Sequence, residues 1–207
     1  MWLTTNNGLV SFQPATGAMK VYTTANGLLG EQFNYRSSFE TEDGTIYLGS
    51  IDGFVAFNPK NFSENKSLPS IVITDFLLFG KEVYPGDPSS PLKKSINFLD
   101  ELVLQPDQNS FSFRVAALDF QAPRMNQIMY KLDGFDDEWL PVGESPVVSY
   151  SNLWYGNYTF RVKASNSDGV WNENEVSLIV RILPPFYLTI WAYCVYVLLI
   201  IGCSLYA

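Results

Sequence analysis

The sequence predicts an all-β chain. It reads as the end of a β-propeller, about one and a half blades, then an immunoglobulin/fibronectin-like β-sandwich and one C-terminal transmembrane helix. Three observations predict this. A pattern that starts at Trp2 returns forty-five residues later at Tyr47. The middle of the chain spaces short apolar segments between loops rich in Pro, Gly and Ser. From Leu188 to Ala207 no residue is charged.

The repeat comes first. Trp2-Leu3-Thr4-Thr5-Asn6-Asn7-Gly8-Leu9-Val10-Ser11-Phe12-Gln13-Pro14 aligns with Tyr47-Leu48-Gly49-Ser50-Ile51-Asp52-Gly53-Phe54-Val55-Ala56-Phe57-Asn58-Pro59. An aromatic, Leu, Gly, Val, Phe and Pro match in register. A period of roughly 40 to 45 residues built from short strands is the mark of a propeller blade. Within one unit, Ile46 to Ser50 is an apolar strand, Asp52-Gly53 a turn, and Phe54 to Phe57 the antiparallel return. Asn34 to Thr41 is expected as the inner strand and Lys20 to Tyr22 as the outer strand of the earlier blade. A single blade cannot bury both faces, so further blades are expected upstream. Residues 1–60 are assigned to the propeller and the polar stretch 61–70 to a linker.

The sandwich is expected over 71–183. Its strand candidates are Ile71 to Phe79, Leu102 to Leu104, Ser110 to Ala117, Ile128 to Leu132, Tyr158 to Ala164 and Val176 to Ile182. The clearest is Tyr158 to Ala164, where apolar and polar residues alternate as in a half-buried antiparallel strand. Leu153 followed by Gly156-Asn157-Tyr158 resembles a tyrosine corner, in which the hydroxyl bonds back to the upstream backbone. Pro184-Pro185 ends sheet pairing, because proline has no N–H to donate. Residues 184–207 then form a stiff joint and a membrane helix, with Phe186, Tyr187 and Trp191 as an interfacial aromatic belt. No leader follows Met1 and the apolar run is open-ended, so a piece of a longer protein is expected.

Composition narrows the chemistry. The 207 residues contain no histidine, which removes Ser-His-Asp and Cys-His catalysis and imidazole-ligated zinc. Thirteen Lys and Arg against 21 Asp and Glu leave a formal net charge of -8, so nucleic acid is not an expected partner. The two cysteines, Cys194 and Cys203, both lie in the apolar run and build neither a disulfide framework nor a thiolate metal site. No Asp-x-Asp-x-Asp-Gly loop occurs, and no metal or cofactor is expected. Asp136-Asp137-Glu138 is the densest carboxylate cluster, but neighbours on a loop point in different directions and do not make a glycosidase pair.

Taken together, Asp43-Gly44-Thr45-Ile46-Tyr47-Leu48-Gly49-Ser50 and Asp52 to Pro59 resemble the propeller repeat of two-component regulators. Tyr130-Lys131-Leu132-Asp133-Gly134-Phe135, Trp139, Leu153, Gly156 to Phe160, Asp168-Gly169-Val170-Trp171 and Pro184-Pro185-Phe186 resemble the Tyr-rich sandwich domain that follows it. The order of the pieces resembles the extracytoplasmic C-terminal part of hybrid two-component sensor histidine kinases. That resemblance implies periplasmic oligosaccharide sensing, a ligand near the junction of propeller and sandwich, and a homodimer through the sandwich. It also implies an inner-membrane, single-pass protein with residues 1–185 in the periplasm, and no enzymatic activity in this stretch. Gly27 to Arg36 matches the family's blade-linking loop. Within it Glu31, Gln32, Asn34 and Arg36 offer planar polar groups to sugar hydroxyls and Tyr35 a face to stack on; loop capping and strand pairing use the same groups. Arg124, Trp154 and Tyr155 are candidates for a domain or dimer contact. The alternatives are a membrane-anchored adhesion or scaffold protein, and an anchored propeller carbohydrate-active enzyme with its site upstream.

Overall fold

A computed structural model describes residues 1–61, 65–119, 122–143 and 145–206. The chain forms two compact units. The first holds residues 1–69, 119–127 and 165–171; the second holds 70–118, 128–164 and 172–207. The chain therefore passes from one unit to the other after residues 69, 118, 127, 164 and 171.

The first unit contains two three-stranded antiparallel sheets. One is β1 (Trp2–Thr5), β2 (Gly8–Gln13) and β3 (Ala18–Tyr22); the other is β4 (Phe33–Glu40), β5 (Ile46–Ser50) and β6 (Gly53–Phe57). The sequence repeat is also a repeat of register. Thr5 pairs with Gly8 as Ser50 pairs with Gly53, and Leu3 with Val10 as Leu48 with Val55. The hydroxyls of Thr5 and Ser50 each donate to the carbonyl of the glycine three residues on, at 2.7 and 3.3 Å. Glycine is required at the first of these turns: Gly8 has φ 104°, and a Cβ there would lie 2.3 Å from the Tyr22 carbonyl oxygen.

The second unit packs two sheets face to face. Its strands are β7 (Ser70–Leu78), β8 (Lys81–Glu82), β9 (Glu101–Leu104), β10 (Phe111–Leu118), β11 (Gln127–Asp133), β12 (Leu140–Pro141), β13 (Val147–Tyr150), β14 (Gly156–Ser165) and β15 (Val176–Ile182). One sheet runs β13-β10-β7-β8, the other β12-β11-β14-β15-β9. The core between them holds Phe111, Phe113 and Val115 of β10, Phe160, Val162 and Ala164 of β14, and Leu178, Val180 and Ile182 of β15. Phe113 and Phe160 stack across it with ring centroids 4.4 Å apart.

Two features depart from a simple alternating pattern. Register shifts where Arg114 and Val115 of β10 meet β7, leaving Thr74 as an extra residue. The bulge changes parity, so Ile71 and Ile73 before it and Phe76 and Leu78 after it all enter the core. Second, β9 pairs with β15 in parallel, matching Leu102 to Val180 and Leu104 to Ile182. Leu102 and Leu104 are fully buried there.

The predicted tyrosine bond is present: the Tyr158 hydroxyl donates to the Trp154 carbonyl at 2.9 Å. The predicted C-terminal helix starts later than expected. Pro185 is extended, Phe186–Leu188 is a 3-10 turn, and Thr189 is extended again, so α1 runs only from Ile190 to Tyr206. Among the described residues no helix is long and apolar enough to cross a membrane.

The stacked pair sets an expectation for stability. Phe160→Ala should lower the unfolding free energy by about 3–5 kcal/mol, read as an earlier urea midpoint at an unchanged m-value.

Candidate functional site

The sequence-predicted residues of the Gly27 to Arg36 loop separate into two kinds. The Glu31 carboxylate accepts from the Thr24 N–H at 3.1 Å and the Thr24 hydroxyl at 2.8 Å. Those bonds, the hydroxyl first, hold its carboxyl below the ordinary range. The Glu31 carbonyl accepts from the Gly8 N–H, and the Gln32 carbonyl from the Ile51 N–H. Asn34 donates its amide to the Ser50 carbonyl at 3.0 Å. Tyr35 and Arg36 turn outward. The pairing of β4 with β5 jumps from Phe33–Ser50 to Ser38–Leu48, so Asn34 to Ser37 bulge out of the ladder. Arg36 sits at φ 56°, Tyr35 is 88% exposed, and the guanidinium lies 5.2 Å from the tyrosine ring.

The expected interface residues are all at the surface. Arg124 is exposed on the 3-10 turn Pro123–Met125 and forms no ion pair among the described residues, including none with Asp136, Asp137 or Glu138. The Trp154 and Tyr155 rings lie 5.4 Å apart, and Trp154 is 68% exposed. The carboxylate of Asp136 is occupied in holding the fold. It accepts from the Leu132 N–H at 2.8 Å and the Tyr150 hydroxyl at 2.7 Å. Burial, then that bond, pushes the Tyr150 phenol up.

A better-built site lies elsewhere in the first unit. A cleft of about 320 Å³ has an apolar wall of Leu9, Tyr22, Leu28, Val55, Phe57 and Ala122. Lys20, Asn26, Asn65, Ser167 and Asp168 supply its polar groups. Lys20 leaves β3 with its ammonium 5.3 Å from the Tyr22 ring centre and ion-paired to Asp168. Asp168 comes from the loop between β14 and β15. Its other oxygen accepts from the Asn65 N–H at 2.7 Å. Burial works to raise this carboxyl, but Lys20 and the Asn65 N–H outweigh it and hold the group below its ordinary value.

Asn166 builds the loop that presents Asp168. Its side chain is fully buried, and its amide meets four partners. The NH2 donates to the carbonyls of Asn65 at 2.5 Å and Ser67 at 2.8 Å. The oxygen accepts from the N–H groups of Asp168 and Val170, both at 3.0 Å. That is the two-donor, two-acceptor capacity of an amide used in full. Two further bonds join the same unit: Asn65 donates to the Asp119 carboxylate at 3.1 Å, and Asn26 meets the Met125 sulfur at 3.0 Å. The sequence marks Asp168-Gly169 as a turn only. The Asn166-Ser167-Asp168 spacing is compatible with an Asx turn, but the partners Lys20 and Asn65 lie 148 and 103 residues away from Asp168.

With this geometry in view, residues 119–183 match the family model described as the Y_Y_Y domain. The chain is 33% identical over 200 residues to Histidine kinase P4 of Formosa agariphila, covering 97% of this chain. It superposes with a TM-score of 0.73 and 27% identity on the extracellular domain of the hybrid two-component system BT3049 of B. thetaiotaomicron, over 88% of this chain. The extracellular domain of BT4673 from the same organism, described as a one-component system, gives 0.53 at 27% identity over 89% of this chain. The chain is similar to the extracellular regions of two-component sensors. It spans 14% of the length of the Formosa kinase and 24% of each of these two solved domains. The chain is mostly β and is similar to extracellular stretches of such sensors.

Two measurements probe this site. Asn166→Asp turns a donor that faces two carbonyls into a third acceptor, and should cost about 3 kcal/mol or more in urea denaturation. The Asp168 carboxyl is depressed on folding, so its stabilisation is complete above the unfolded value of about 3.9 and is lost as pH falls through the lower folded value. The stability gap between wild type and Asp168→Asn should therefore be flat from about pH 7 to 5 and shrink below about pH 4. A gap that stays constant through this range contradicts the assignment.

Proposed function

We propose that this chain is part of a periplasmic sensor region that couples oligosaccharide binding to signalling across the inner membrane. In this reading residues 1–60 are the last blades of a propeller and 71–183 a sandwich domain, joined by 61–70. The observation that carries the proposal is the route of the chain. The loop between β14 and β15 is built into the first unit, beside the cleft. From that loop the chain runs through β15 to Pro184-Pro185 and the apolar helix α1. A change at the cleft thus has a short covalent path to the segment we read as the membrane anchor. The two prolines keep that path stiff.

The cleft suits a sugar. It offers Tyr22 and Phe57 as faces for the apolar side of a pyranose, and a cation, a carboxylate and two amides for hydroxyls. Tyr35 and Arg36, projected by the bulge in β4, are the loop residues that remain available to a ligand. Glu31, Gln32 and Asn34 support them. Trp154 and Tyr155 supply an exposed aromatic pair for a second copy of the sandwich, with Arg124 on another exposed loop. Ligand binding then shifts the population of two arrangements of the dimer.

Calorimetric titration of the whole extracellular region with a panel of neutral and acidic oligosaccharides tests this. One member of the panel should bind, and Tyr22→Ala should weaken it about tenfold, a change of ~1.4 kcal/mol. Binding left intact by Tyr22→Ala removes the cleft from the proposal.

A further inference from the structure

The Lys20–Asp168 pair is more than a wall of the cleft. Asp168 fastens the β14–β15 loop to a strand, β3, and to the backbone of Asn65. Asn166 fastens the same loop to the carbonyls of Asn65 and Ser67. These attachments differ in kind. Asn166 is fully buried and its amide is saturated, so it does not let go without a large penalty. Lys20 retains 38% of its side-chain exposure and Asp168 13%, so water or a polar ligand can reach the pair. A part-exposed ion pair contributes little to stability and is easily exchanged for another partner. Of the two attachments, the ion pair is the one built to open.

Both partners also line the cleft. A ligand that bonds the Lys20 ammonium or the Asp168 carboxylate competes with their bond to each other. We propose that the Lys20–Asp168 pair is a latch that holds the β14–β15 loop against β3, and that filling the cleft opens it. Asn166 is the pivot that stays closed. Release removes the hold of β3 on the loop at Asp168, while the Asn166 bonds to Asp168 and Val170 keep the turn itself formed. The proposal rests on the cleft being the ligand site. It adds which contact reports occupancy and by what chemistry.

The test uses the full-length sensor with Lys20→Gln, Asp168→Asn, and the exchanged pair Lys20→Asp with Asp168→Lys. The readouts are reporter output without added sugar and deuterium uptake of residues 165–171. Each single variant should mimic occupancy and raise both by about threefold or more, the scale of a part-exposed pair. The exchanged pair should bring both back toward wild type. Unchanged output and uptake in the two single variants overturn the latch, as does an exchanged pair that stays as active as the singles. If Asp168→Asn does not fold, Lys20→Gln decides, since its half-exposed side chain leaves the Asn166 bonds in place. Failure of the ligand-site reading looks different. Tyr22→Ala then binds the sugar normally while the single latch variants still raise output.

Discussion

Asn166 has no contact with solvent, and its amide makes the four hydrogen bonds it is able to make. Two of them shape its own loop and two grip the backbone at Asn65 and Ser67. Because the group is buried, each of these bonds is made in a low-dielectric setting where leaving it unmade is expensive. The loop from Ser165 to Trp171 therefore has one defined conformation. That conformation puts Asp168 in reach of Lys20 and Asn65, gives the cleft its polar wall, and sets the point from which the chain continues to β15.

The second unit has a closely packed core of its own. Its core is aromatic along β10 and β14, with Phe113 stacked on Phe160, and aliphatic along β15 and β9. The parallel pairing of β9 with β15 covers what would otherwise be an open edge and adds Leu102 and Leu104 to the core. A strand held by hydrogen bonds to β14 on one side and β9 on the other moves with its sheet. Leu183 extends this hold by donating to the Leu104 carbonyl at 3.0 Å, immediately before the two prolines. The chain thus stays bonded to the sheet up to Leu183, next to the two prolines.

Charge in this protein is used locally. Although the net charge is -8, the ion pairs gather in small groups: Lys20 with Asp168, Arg114 with Asp75 and Glu82, and Arg161 with Asp133 and Glu175. The last two groups lie within the second unit and brace strands of its sheets. The first lines the 320 Å³ cleft with both its partners, beside two aromatic faces, which separates it from its chemically similar counterparts.

Much of the architecture is readable from residue order alone, because it is encoded by short-range patterns. The forty-five-residue repeat implies equal registers in its two copies, since the same turn glycines and the same flanking residues impose them. The alternation in Tyr158 to Ala164 implies a strand with one buried face, and the Leu153 to Tyr158 spacing resembles a tyrosine corner whose hydroxyl bonds to the upstream backbone, which the structure places at Trp154. Hydropathy misplaces the start of the C-terminal helix, because it does not register that two prolines and a 3-10 turn delay helix onset to Ile190. The strands β8, β12 and β13 carry too little pattern to be seen, being two to four residues long, and the bulge at Thr74 hides the parity of β7. Of the loop residues expected to contact a ligand, Glu31 and Asn34 spend their groups on Thr24 and Ser50. The cleft itself is not legible. Lys20, Asn65, Asn166 and Asp168 form no local pattern, and what unites them is three-dimensional: loops between strands of the second unit belong to the first. Local sequence determines strands, turns and corners through nearest-neighbour sterics and periodic burial. Only the tertiary structure decides which distant amide, ammonium and carboxylate meet, because those partners are chosen by how the chain returns on itself.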